Sequence, residues 1–140
     1  MTPTLPEEAD VWADRLRDRL NERDSFRAAA EGFDTVLRFE IRPDRRYDGD
    51  AIHVTVAVQD AECIATRTEF GDGTDVDYDF ALRGPYAAWK ALLQDDLDVI
   101  DAVMGGQFRL EGSRIELMSN RDAVTELVRG ARTVDAEFAY

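Results

Sequence analysis

Apolar residues recur at helical spacing over the first quarter of the chain, at every second position from Val36, and at helical spacing again after Gly84. In the first stretch Thr4 is placed to cap, Pro6 suits a first turn, and Glu7, Glu8 and Asp10 favour the positive end of a helix dipole. Trp12, Leu16 and Leu20 then fall at i, i+4 and i+8, which predicts one buried stripe on a charged rod. A break is expected over 21–25, a further turn over 26–30, and a stop at Gly32. Phe26 is expected to pack under the sheet that follows.

The alternating segment predicts strands. Leu37, Phe39 and Ile41 share one face of the first, with Arg38, Glu40 and Arg42 on the other, and Pro43 ends it. Tyr47-Asp48-Gly49-Asp50 is turn chemistry, and Ile52, Val54, Val56 and Val58 share a face of a second strand. Gln59-Asp60 is read as a tight turn into a third strand over 62–68. A turn over 71–74 leads to a fourth, carrying Val76, Tyr78, Phe80 and Leu82 against Asp75, Asp77 and Asp79. Four consecutive half-buried strands predict an antiparallel meander with one apolar face to be covered.

The cover is expected from the segment YAAWKALLQDDLDVIDAVMGGQFRLEG, residues 86–112. Gly84-Pro85 opens a helix with Trp89, Leu92 and Leu93 on one side. Asp95 or Asp96 caps a second helix bearing Leu97, Ile100, Val103 and Met104. Gly105-Gly106 turns the chain into a fifth strand over 107–111, with Phe108 and Leu110 inward. Ile115, Leu117 and Met118 continue the apolar surface. Ser119 and Asp122 read as a capping box for a last helix with Ala123, Val124, Leu127 and Val128 on one face. The tail, residues 134–140, alternates Val134, Ala136, Phe138 and Tyr140, as an edge strand or a flap would. Residues 1–140 thus read as one α+β domain whose mainly antiparallel five-stranded sheet carries helices on one face.

The order of elements and the residues themselves resemble the sterol carrier protein type 2 lipid-binding domain family. The resemblance runs from LNERDSFRAAAEGFDTVLRFEI to the last helix, and its most specific part is Met104, Gly105, Gly106, Phe108, Arg109, Leu110 and Gly112. Two features depart from the family pattern: Ser113 stands where an acidic residue is common, and SRIELMSN replaces a straight run into the final helix. The resemblance implies an apolar tunnel between sheet and helices for fatty acyl chains, acyl-CoA or sterols.

Composition narrows the setting. The chain has 140 residues, enough to bury roughly 68% of its unfolded surface without staples. No apolar run approaches the roughly 18 residues of a membrane span, the N-terminus has no secretory pattern, and Cys63 is the lone cysteine. A cytoplasmic domain with a packed thiol is expected. Asp and Glu total 30 against 17 basic residues, a net charge of −13, and Lys90 is the only lysine. This acidic balance resembles that of proteins from salt-accumulating haloarchaea, whose surface repulsion is screened in molar salt. Such organisms are expected to build isoprenoid ether lipids, which disfavours a literal sterol. Without a basic patch the chain is not expected to bind nucleic acid or anionic headgroups.

Catalytic and metal chemistry find little. His53 is the only histidine and falls on the polar phase of its strand, so it reads as a surface residue. Ser25, Ser113 and Ser119 lie in no nucleophile-elbow sequence. One histidine and one cysteine do not make a zinc site. Reading 72–83 or 75–86 as a calcium loop places Asp77 or Phe80 where glycine is required, and Arg83 or Tyr86 where a bidentate Glu is required. Asp95, Asp96, Asp98 and Asp101 read as a cap and a wet helix face.

The expected function is therefore non-catalytic binding and transfer of a lipid or fatty-acyl-like ligand, with no cofactor and no stable membrane insertion. Candidate cavity residues are Trp89, Leu93, Ile100, Met104, Phe108, Leu110, Leu117, Met118, Leu127 and Phe138, with Trp89 and Met104 on one wall and Phe108 and Leu110 as the floor. Trp89→Ala is then expected to weaken binding more than folding. The alternative is a protein-interaction or dimerisation module with a fully packed groove, whose outer surface or C-terminal tail joins a homodimer.

Overall fold

A computed structural model describes residues 2–71 and 77–140. In chain order the elements are β1 (Thr4–Leu5), α1 (Ala9–Glu22), α2 (Asp24–Ala29), β2 (Thr35–Arg42), β3 (Ile52–Gln59), β4 (Glu62–Phe70), β5 (Phe80–Pro85), α3 (Tyr86–Leu93), α4 (Val99–Met104), β6 (Arg109–Glu111), α5 (Arg114–Ser119), α6 (Arg121–Arg132) and β7 (Glu137–Phe138). The main sheet is five-stranded in the order β4-β3-β2-β5-β6.

The expected meander is corrected at the fourth strand. β5 does not extend the β3–β4 hairpin; it returns to the free side of β2 and pairs with it in parallel, Leu37 opposite Phe80 and Phe39 opposite Leu82. Alternation tells which face of a strand is buried but not which strand lies beside it. Asp79, exposed and just before the strand, helps set this register: its Oδ2 accepts from the Val36 N–H at 2.8 Å and from the Thr35 hydroxyl at 3.3 Å. The strand begins at Phe80, leaving Tyr78 outside it, and the turn and strand positions read over 72–76 lie outside the described residues.

Elsewhere the periodicities translate directly. Trp12, Leu16 and Leu20 are buried along α1, which packs on β3 and β4. Ile52, Val54, Val56 and Val58 are all buried on the inner face. The β3–β4 turn is centred on Asp60 and Ala61, both with positive φ, one position beyond the expected pair. The register shifts at Ala57/Val58, beside Cys63. There the Asn21 amide closes the pattern, accepting from the Cys63 N–H at 2.8 Å and donating to the Cys63 carbonyl at 3.0 Å.

Three caps differ from expectation. Thr4 belongs to β1, and α1 begins at Ala9 with no side-chain cap. α4 is capped by Asp98 rather than Asp95 or Asp96, its Oδ2 accepting from the Ile100 and Asp101 N–H groups at 3.0 and 3.1 Å. The segment after Gly112 is a helix of its own, α5, capped by Ser113 Oγ on the Glu116 N–H at 3.2 Å. α6 follows from Asn120 without the Ser119–Asp122 box. The tail strand β7 pairs in parallel with β1, bringing the two ends of the chain together.

The outer sheet face is less wet than the alternation suggests. His53 is only 8% exposed, with Nε2 at 3.1 Å from the Gly71 carbonyl and Nδ1 at 3.6 Å from Glu40 Oε1. Arg38 is buried beside it, its guanidinium 3.9 Å from Glu69 and 6.0 Å from the centre of the Tyr78 ring. A buried charge needs such partners to stay in a folded chain.

Cys63 is buried, and loss of solvation pushes its thiol up to about 11. The thiolate is the reactive form, so native protein is expected to resist iodoacetamide at pH 8 while urea-unfolded protein is alkylated. Equal labelling rates, followed by mass spectrometry, would contradict this placement.

Candidate functional site

Between the inner sheet face and the helices lies a narrow cavity of about 60 Å³ whose open wall is apolar throughout. The floor is sheet: Leu37, Phe39 and Ile41 from β2, Val54 from β3 and Leu82 from β5. These are the inward positions of the period-2 pattern, so the alternation that builds the sheet also makes the floor apolar. The roof is helical, with Trp89, Leu92 and Leu93 from α3, Val99 from α4, Leu117 from α5, and Val124, Leu127, Val128 and Ala131 from α6. Ala9, Trp12 and Leu16 of α1 close one side, and Leu5, Pro6 and Phe138 bring in both chain ends.

Of the ten residues expected around a cavity, the structure places Trp89, Leu93, Leu117, Leu127 and Phe138 on its wall. The other five lie elsewhere. Because α4 starts at Val99, its inward stripe is Val99, Ala102 and Val103, which turns Ile100 aside and leaves Met104 67% exposed. Met118 is likewise exposed, and Ile115 on the same helix is 82% exposed, because α5 offers only Leu117 to the core. Phe108 is buried beneath the wall, its ring edge-on to Trp89 at 4.6 Å between centroids. Leu110, half-buried on the short edge strand β6, does not reach the floor, which β2, β3 and β5 supply.

Trp89 is fixed on three sides. Its indole N–H donates to the Glu40 carbonyl at 2.9 Å and the Gly84 carbonyl at 3.1 Å, and its ring meets Phe39 edge-on at 5.6 Å. Gly84 is required here, since a Cβ would overlap the Phe108 ring. Lys90 lies along the wall with its ammonium outside, donating to the Tyr140 carbonyl at 2.8 Å and standing 5.7 Å from the centre of the Phe138 ring. The Tyr86 hydroxyl donates to the Leu5 carbonyl at 3.4 Å and accepts from the Tyr140 N–H at 3.4 Å. These contacts hold the tail against the cavity end.

The SCP-2 sterol transfer family model matches residues 13–124, most of the chain and every strand of the main sheet. The chain belongs to the SCP-2 sterol transfer family. Among solved structures it is similar to a sterol carrier protein 2 crystal structure, with 27% identity and a TM-score of 0.80 over 89% of this chain and 95% of the other. A conserved hypothetical protein from Thermus thermophilus, described as possibly a sterol carrier protein, gives 26% identity and a TM-score of 0.81, covering 91% and 88%. The fold also recurs within a Pseudomonas sec-alkylsulfatase, at 16% identity and a TM-score of 0.52, where it covers 80% of this chain but 15% of that enzyme. No curated protein sequence matches the chain.

Within this SCP-2 domain the described residues include no cluster of three or more His, Cys, Asp or Glu placed to hold a metal ion. They also include no helix long and apolar enough to cross a membrane. The sequence pattern missed Trp12, Leu16 and the strand residues of the floor as cavity wall, since each reads equally well as ordinary core. Their common signal is position: they are inward residues of α1 and of the strands β2, β3 and β5.

Proposed function

We propose that this SCP-2 domain binds and carries a lipid or other long-chain hydrophobic ligand, with no covalent step, in the cavity between its sheet and helices. The observation that carries the reading is the wholly apolar wall in a fold shared with sterol carrier protein 2. At about 60 Å³ the cavity is well below the roughly 300–1,000 Å³ of occupied ligand pockets. Binding therefore requires the walls to part. A short seam is the β1–β7 pair, two residues on each side, where the Pro3 and Leu5 carbonyls accept from the Glu137 and Ala139 N–H groups. Leu5, Pro6 and Phe138 all line the cavity there, so separating the termini opens it from one end.

Burial supplies about 0.8 kcal/mol per methylene, so a ten-carbon chain gains roughly 8 kcal/mol before ordering costs, the scale of micromolar affinity. Protein purified in molar salt is expected to release a stoichiometric lipid into organic solvent, identified by mass spectrometry. Val54→Phe fills the floor from a buried position. It should lower affinity for a fluorescent fatty-acyl probe about tenfold or more while the circular dichroism stays native. Folded wild-type protein that yields no lipid and takes up no acyl probe would overturn the proposal.

A further inference from the structure

One side chain of the cavity wall carries a polar group that has no partner and that presents no surface while the cavity is closed. Trp12 is 9% exposed, and its indole N–H finds no hydrogen-bond acceptor among the described residues. The other polar side chains of the wall are satisfied: Trp89 on two carbonyls, Tyr86 on Leu5, and Lys90 on Tyr140. A buried tryptophan N–H ordinarily finds a partner, and leaving one unpaired is costly. Trp12 also occupies a particular place, since it lines both the inner cavity and an outer, more polar pocket formed with Gln94, Arg132 and Asp135. Leu93, Ala131 and Phe138 are shared between the two in the same way, so these four side chains form the boundary between the apolar interior and the outside.

We infer that the Trp12 indole N–H is the polar anchor of the ligand site, donating to a single uncharged oxygen carried at the outer end of a long apolar chain. The inference rests on the lipid-binding reading above and deepens it by naming the ligand class: a ketone, ester or alcohol in place of a bare hydrocarbon or a carboxylate. An uncharged acceptor fits because the cations nearby are already engaged. Arg132 donates to the Leu92 and Leu97 carbonyls at 2.8 and 2.9 Å and pairs with Asp95 at 3.1 Å, and Lys90 holds Tyr140. A carboxylate at the boundary would meet Asp135 without a free positive partner. A neutral oxygen asks only for the one donor that is spare.

The test compares dodecan-2-one, dodecane and dodecanoate as competitors of a fluorescent acyl probe on wild-type protein and Trp12→Phe. Wild-type protein is expected to prefer the ketone over the alkane and the carboxylate, and Trp12→Phe should lose about 3- to 10-fold more in ketone affinity than in alkane affinity. The two indole N–H resonances, Trp12 and Trp89, provide a second readout that needs no variant: the ketone should shift one of them downfield and dodecane neither. Equal binding of ketone and alkane with no indole shift, as when a water satisfies the donor, overturns the anchor and leaves lipid binding standing. Tightest binding of dodecanoate overturns the ligand class. Failure of all three to bind overturns both readings.

Discussion

Trp89→Ala is expected to destabilise the fold by about 3–5 kcal/mol, a large part of the roughly 5–15 kcal/mol that holds a domain together. The position reads from sequence as a cavity wall whose loss affects binding first. The contacts of Trp89 favour a loss of folding alongside any loss of binding. The Trp89 ring stands edge-on to both Phe39 and Phe108, and its N–H serves two carbonyls at the junction of β2, β5 and α3. Truncation removes both aromatic contacts, leaves the Glu40 and Gly84 carbonyls short of a donor, and frees Phe108, which is wedged over the Cα of Gly84. Trp89→Phe keeps most of the packing and loses the N–H, so about 1–2 kcal/mol is expected. Urea unfolding at fixed salt measures both. A loss below about 1 kcal/mol for Trp89→Ala, with ligand affinity reduced, would mean that the ring is a ligand contact and little else.

The same residue shows what could be read from the chain and what could not. Its helix, its inward phase and its company of large apolar side chains are all local, and local periodicity reports them faithfully. The inner faces of β2 and β3, the α1 stripe and the α6 face are legible for the same reason. Pairing order is not local: nothing in the spacing of Phe80 and Leu82 says that their neighbours are Leu37 and Phe39. Caps are local but crowded. Among Asp95, Asp96 and Asp98, the later cap leaves Leu97 outside α4, and the inward stripe becomes Val99, Ala102 and Val103, which sends Met104 outward. Trp12 is legible as core but not as cavity boundary, because an unpaired N–H is a property of its surroundings alone.

Transfer from molar to about 10 mM KCl is expected to remove most or all of the stability. The net charge is −13 on 140 residues. A folded chain of this length has a radius of gyration of about 14 Å, equivalent to a sphere of about 19 Å. Spread over that sphere in water, the charge repels itself by roughly 12 kcal/mol when the Debye length is about 30 Å, and by roughly 3 kcal/mol when it is about 3 Å. The unfolded chain, with a radius of gyration near 39 Å, gains only about 2 kcal/mol from the same change. The folded state is therefore favoured by about 7 kcal/mol more in molar salt, comparable with the whole stability of a domain. Surface ion pairs such as Arg17–Asp18 and Arg27–Glu62 are weakened by salt, but such pairs contribute about 0–1 kcal/mol each and cannot reverse the sign. The melting temperature should rise by about 15–25 °C across this range. The shape of the rise separates causes: screening places more than half of the gain below about 0.1 M, where the Debye length has already fallen to about 10 Å. A melting temperature that is flat or falls with added KCl would show that the acidic surface does not strain the fold. A rise that begins only above about 1 M would assign the salt requirement to hydration of the carboxylate surface instead of to its repulsion.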